Sequence, residues 1–135
     1  MQTSDGRTAL HMASYKGHLL IVRALLGNFK ADDQYRLMSV KDSGGRTAIH
    51  LASFNGHRIV VEDFLGRLHP EQQLRLIKFE DNFKHTAADL ASNRNHTSTA
   101  KVLDLYMQQA STETNGLRER LKQVREKMVI EKGLS

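Results

Sequence analysis

Thr47-Ala48-Ile49-His50-Leu51-Ala52-Ser53 decides the fold, because the same pattern occurs 39 residues earlier and 39 residues later. The earlier copy is Thr8-Ala9-Leu10-His11-Met12-Ala13-Ser14, and the later, more divergent copy is Thr86-Ala87-Ala88-Asp89-Leu90-Ala91-Ser92. A fixed period of about 20 to 50 residues indicates stacked supersecondary units, none of which can bury its apolar face alone. The sequence therefore predicts a solenoid of three units.

Each unit has the pattern of two helices joined by a tight turn. Ile21, Val22, Leu25 and Leu26 follow Gly17-His18 at helical spacing, and an equivalent apolar set follows Gly56-His57. The threonine that starts each copy suits a helix N-cap. The glycines suit the left-handed residue that ends a helix, a position that Asn95 can also fill.

The run from Asp42 to His57 resembles the ankyrin repeat, whose pattern is D-x-x-G-x-T-P-L-H-x-A-A-x-x-G-H. The resemblance extends over about residues 3–107, although alanine occupies the position of the family's proline in every unit. It implies an all-α, ankyrin-type helical solenoid in a domain of residues 1–107, with units at about 3–41, 42–80 and 81–107. It also implies that the first histidine of each unit lies inside and bonds to the neighbouring unit.

These units are longer than the family's usual 33 residues, and the extra length is itself repeated. Residues 34–38 align with residues 73–77, and helix-start signals precede both segments. We expect an added short helix in each inter-repeat linker, replacing the usual loop and β-turn. Its packing face would hold the pairs Tyr35/Leu74, Met38/Ile77 and Val40/Phe79. The alternative is an elongated loop with strand-like ends.

The third unit departs from the pattern in the way that terminal repeats of a solenoid do. Asp89 replaces the histidine, while Lys84 and Asn95 replace glycines. We interpret this unit as a C-terminal cap. The first unit has no equivalent polar cap, which is consistent with either a minimal stack or part of a longer array.

The C-terminal region is predicted to be a linker at 108–116 followed by an amphipathic helix at 117–132. The linker is inferred from small polar residues. The helix has an apolar seam at heptad spacing, formed by Leu117, Leu121, Val124 and Met128. This helix could cap the third unit, self-associate or bind a partner, or lie on a membrane surface as a basic helix.

Composition argues against several functional classes. The chain lacks cysteine and carries a net charge of +5 without a basic run or tryptophan, so nucleic-acid binding is not favoured. Seven histidines lack metal-ligand spacing, and the motifs of metalloproteases, phosphate-binding loops and hydrolases are missing. We therefore expect no enzyme activity, small-molecule substrate, cofactor, metal or membrane span. A cytoplasmic or nuclear location fits a cysteine-free intracellular protein.

The resemblance implies a protein-interaction scaffold or adaptor that binds through the turns and the exposed ends of the first helices. The runner-up is a structural module that self-associates through the C-terminal helix. Aromatic and arginine side chains favour interface cores, and basic ones favour a partner with acidic and apolar residues. The predicted partner-binding residues are Arg7, Tyr15, Lys16, Arg46, Phe54, Asn55, His85, Asn93 and Arg94.

Overall fold

The computed structural model describes residues 4–131, and within that range all regular structure is helical. The helices are α1 (Ala9–Lys16), α2 (Leu19–Gly27), α3 (Ala31–Met38), α4 (Ala48–Phe54), α5 (Arg58–Gly66), α6 (Pro70–Lys78), α7 (Ala87–Asn93) and α8 (Thr97–Glu131). Residue 3 of the first predicted unit and residue 132 of the predicted C-terminal helix lie outside the described residues.

The three units stack as the 39-residue period predicts. The first helices α1, α4 and α7 pack side by side, and α2 lies next to α5 in a second layer. Small residues such as Ala13 and Ala52 are buried in the first layer, where they let neighbouring helices approach closely. Val22, Leu26, Val60 and Phe64 of the second layer are fully buried in one continuous core.

The predicted helix boundaries have the expected backbone geometry. Gly17 and Gly56 are left-handed, with φ values of 72° and 70°. Asn95 takes the same conformation at the end of α7, with φ of 62°. A Cβ on Gly17 or Gly56 would clash with the ring of His57 or His96, so these glycines also allow the next unit to approach.

The added helices exist, as α3 and α6, and the loop alternative is wrong. They do not replace the β-turn, however, because turns remain at residues 42–46 and 81–85. The predicted packing face needs correction as well. Met38 and Ile77 are buried, but Tyr35 and Leu74 are only partly covered, and Leu76 is buried instead.

The predicted linker at 108–116 is part of a helix, because α8 continues without a break from Thr97 to Glu131. Ala110 and Thr114 are buried within this segment, which packs against α6. Tertiary packing thus overrides the low helix propensity of residues such as Thr114. The first half of α8 covers the end of the stack, and every residue from 115 to 131 is exposed.

Candidate protein-binding surface

The predicted partner-binding residues lie on the turns and on the C-terminal ends of the first helices. Because α1, α4 and α7 pack side by side, equivalent positions of the three units form three rows across the stack. The rows are Arg7, Arg46 and His85; Tyr15, Phe54 and Asn93; and Lys16, Asn55 and Arg94. We call this surface the unit-end face.

The turns beside this face are joined by hydrogen bonds from unit to unit. The backbone N–H of Ser43 donates to the carbonyl of Asp5 at 2.8 Å, and that of Asn82 donates to Gly44 at 2.9 Å. The side-chain amide of Asn82 also donates to the carbonyl of Ser43 at 2.9 Å. Neighbouring turns are therefore held in register, which fixes the spacing of the side chains between them.

Buried histidines form the second connection between units. In His50, Nδ1 accepts from the backbone N–H of Thr47 at 3.1 Å, and Nε2 lies 3.1 Å from the carbonyl of His85. His11 repeats this arrangement one unit earlier, with Nε2 at 3.0 Å from the carbonyl of Arg46. Because Nδ1 accepts, Nε2 carries the proton and donates to the next unit, which assigns a neutral ring. The family-derived expectation of bridging histidines is confirmed for these two.

Burial lowers the pKa of His50 below its ordinary value of 6.5, although the carbonyl of His85 and the charge of Asp81 oppose this effect. The unfolded chain therefore binds a proton at His50 more readily than the folded chain does. The resulting stability is fully present above pH 6.5 and is lost as the pH falls from there through the folded pKa.

We expect urea unfolding of the wild type to show this loss between pH 7 and pH 5. The free energy of unfolding of His50→Gln should fall less over the same range, because that variant has no titrating group at this position. Parallel pH profiles for the two proteins would contradict the buried neutral ring.

Asp42 and Asp81 organise the second and third turns. One oxygen of Asp81 accepts from the backbone N–H groups of Phe83 and His85, both at 2.9 Å. Burial tends to raise the pKa of Asp81, but these N–H donors and the His85 ring outweigh it, so that the pKa lies below the ordinary value. Asp42 bonds to Gly44 and Arg46 in the same way.

The same carboxylates pair with two of the predicted binding residues. Arg7 lies 3.4 Å from Asp42, and Arg46 lies 3.6 Å from Asp81, so each arginine joins its unit to the next. Their side chains are less than one third exposed. We conclude that Arg7 and Arg46 have a structural task in the stack, because each pairs with an aspartate of the next unit.

The aromatic residues of the face lie close to arginine side chains. The guanidinium of Arg7 lies 5.7 Å from the ring centre of Tyr15. The ring of Phe54 contacts two guanidinium groups, with Arg94 at 4.4 Å and Arg46 at 6.0 Å. These distances are within the range of cation–π attraction. Both rings are partly exposed, so each still offers contact area to a partner.

The remaining predicted residues divide into two groups. Asn55 is structural, since its side-chain amide donates to the carbonyl of Tyr15 at 2.7 Å, beside a second bond from His57. His85 is partly buried, and Lys16, Asn93 and Arg94 are exposed. The structure thus leaves fewer free side chains on the unit-end face than the sequence suggested.

The unit-end face also includes two exposed residues of the third turn. Phe83 is 71% exposed at the tip of the third turn. Lys84 follows it in the left-handed conformation, with φ of 64°, and is also exposed. Phe83 occupies a turn position that the ankyrin resemblance already implies for binding, whereas Lys84, which replaces a turn glycine, is interpreted from the sequence only as divergence of a terminal unit.

Within residues 4–131, no cluster of three or more histidine, aspartate or glutamate side chains could hold a metal ion. No helix in that range is both long and apolar enough to cross a membrane.

Comparisons with known proteins agree with this architecture. A family model of ankyrin repeats in three copies matches residues 1–73, and the chain belongs to the ankyrin repeat family. No curated protein matches the sequence. A chain from the crystal structure of the yeast ribosomal protein Rps3 in complex with its chaperone Yar1 is 27% identical, with a TM-score of 0.64. That alignment covers 74% of this chain and 66% of the other.

Proposed function

We propose that this protein is a non-catalytic interaction module that binds a segment of another protein along the unit-end face. The observation that carries this proposal is the ring of Phe54, which is partly exposed and lies within cation–π distance of both Arg46 and Arg94. A preorganised aromatic side chain gives contact area at a low cost in conformational entropy, which is why such residues are frequent hot spots.

The charges of the face indicate the chemistry of the partner segment. Lys16, Lys84 and Arg94 are exposed, and none forms an ion pair within residues 4–131. The buried carboxylates of Asp42 and Asp81 are already used by the turns. A complementary segment would have apolar side chains that pack against Tyr15, Phe54 and Phe83. It would also have acidic side chains that pair with the basic groups.

The comparisons support a protein-binding module at the level of the class. Ankyrin repeats are protein-interaction units, and the similar solved structure comes from a complex of a ribosomal protein with its chaperone. We propose in addition that the partner binds at the unit-end face, that its segment has acidic and apolar residues, and that the protein is cytoplasmic.

Peptide display against the full chain provides a direct test. We expect selected peptides to combine apolar and acidic residues, and Phe54→Ala to weaken the best peptide by more than about 1 kcal/mol, roughly fivefold. Phe29→Ala is the control, because Phe29 is an exposed ring that follows the C-cap of α2 and does not belong to the unit-end face. Its effect on affinity should be less than about twofold.

A second variant keeps the test valid if Phe54→Ala lowers stability. Arg94→Ser removes an exposed side chain that touches the Phe54 ring, so the fold should be retained while peptide binding weakens. Selected peptides whose affinity is unaffected by Arg94→Ser, or reduced equally by Phe29→Ala and Phe54→Ala, would contradict the proposal.

The alternative function was self-association through Leu117, Leu121, Val124 and Met128. These side chains are indeed exposed on α8. The charges beside them nevertheless oppose pairing with a second copy, so we retain the interaction module as the proposed function.

A further inference from the structure

The apolar stripe of α8 continues past the end of the repeat stack. Leu103, Met107, Ala110 and Thr114 follow one another at heptad spacing and face α5, α6 and α7. The same spacing continues through four apolar residues, which we call the α8 seam. The seam consists of Leu117, Leu121, Val124 and Met128.

Burial changes abruptly where the seam begins. Leu103 and Ala110 are fully buried and Thr114 is 5% exposed, whereas the seam residues are 48% to 58% exposed. The helix that covers the last buried part of the stripe, around Thr114, is α6, which starts at Pro70. Next to that start lies a groove of about 410 Å³, lined by His69, Pro70, Glu71, Thr114, Leu117, Arg118 and Leu121. The seam is therefore the uncovered continuation of a helix-packing face that the protein already uses.

The positions that flank the seam are basic on both sides. Arg118 and Arg125 occupy the heptad e positions, and Arg120 and Lys127 occupy the g positions. All four are exposed, and none forms an ion pair within residues 4–131. In a coiled coil these positions face the partner helix and determine which helices pair.

These charges argue against a second copy of α8 on the seam. Parallel pairing would place Arg120 of one helix against Arg125 of the other. Antiparallel pairing would place Arg118 against Arg125, and Arg120 against Lys127. Like charges meet in both orientations, and two heptads of apolar seam are too short to offset that repulsion.

We propose that the α8 seam is a second docking surface, which binds an amphipathic helix with acidic flanking residues from another protein. The seam spans 12 residues, and 11 steps of 1.5 Å give it a length of about 16.5 Å, which matches about three turns of the partner helix. One end of that helix lies against the groove beside Pro70. This surface is separate from the unit-end face, so either proposal can fail without the other.

Binding of two synthetic helical peptides to the full chain tests the proposal. Each has about 15 residues, roughly four turns, with leucine at the a and d positions. One carries glutamate at e and g, and the other carries lysine there. We expect the acidic peptide to bind at least about tenfold more tightly than the basic one, as measured by fluorescence anisotropy.

Two variants with the same change in charge locate the binding site. Arg125→Glu reverses a flanking charge and should lower the affinity for the acidic peptide at least about fivefold. Lys122→Glu reverses a charge at the b position, beyond the flanks, and should change the affinity less than about twofold. Leu121→Gln should abolish measurable binding, and its thermal unfolding should match the wild type because the side chain is exposed.

Three results would overturn the proposal. Equal weakening by Arg125→Glu and Lys122→Glu would mean non-specific attraction between opposite charges. A sedimentation mass twice the chain mass of 15.3 kDa, returned to one chain by Leu121→Gln, would place a second copy on the seam. Binding to phosphatidylserine vesicles with none to the acidic peptide would assign α8 to a lipid surface.

Discussion

His50→Ala is expected to lower the free energy of unfolding by about 3 kcal/mol, more than any other variant considered for this protein. The ring is fully buried and joins the second unit to the third. Its removal leaves the N–H of Thr47 and the carbonyl of His85 without their partner, in addition to a cavity between the units. Both penalties fall on the same interface.

Urea unfolding monitored by circular dichroism measures this loss, with His18→Ala as the control. His18 is exposed, and its side chain forms no cap bond at the start of α2. We expect the control to lie within about 0.5 kcal/mol of the wild type. Similar, small losses for both variants would mean that the bridging histidine does not hold the units together.

Gly45→Ala is expected to cost about 2 kcal/mol or more, the second-largest loss. Gly45 is left-handed, with φ of 77°, a conformation that costs an alanine about 1–2 kcal/mol. The new Cβ would also lie 2.9 Å from the backbone nitrogen of Asn82 and clash with its side chain. Asn82 belongs to the next turn and donates to Gly44, so a shift there would disturb the connection between units.

The adjacent glycine is the matched control for this prediction. A Cβ on Gly44 would have its nearest contact at 3.4 Å, from the carboxylate of Asp42, which is an ordinary distance. Thermal unfolding of Gly44→Ala should therefore stay close to the wild type. Equal melting temperatures for the two variants would contradict the prediction that the close approach of Gly45 to Asn82 excludes a larger side chain.

The stacking of units was predictable because the period repeats every element that the interface needs. His11 and His50 both reach a carbonyl 35 residues later, and Arg7 and Arg46 both reach an aspartate 35 residues later. The histidine bridges followed from the family resemblance. Arg7 and Arg46 were instead predicted to bind a partner. Their pairing with an aspartate could have been predicted, because in both units an aspartate follows the arginine by 35 residues.

The C-terminal region was predicted less well, because its structure depends on contacts between distant residues. Small polar residues around Gly116 indicated a linker, but Ala110 and Thr114 pack against α6 and keep α8 helical. Local composition does not reveal which surface a segment will meet.

The central claim is that the unit-end face binds a protein segment, and an NMR titration tests it most directly. The ¹⁵N-labelled full chain would be titrated with the peptide selected by display, and backbone amide shifts would be followed. We predict that the largest shifts occur at the C-terminal ends of α1, α4 and α7 and at the third turn, including Tyr15, Phe54 and Phe83. Shifts confined to α2 and α5, around the exposed Leu20 and Ile59, with the unit-end face unchanged, would contradict the account.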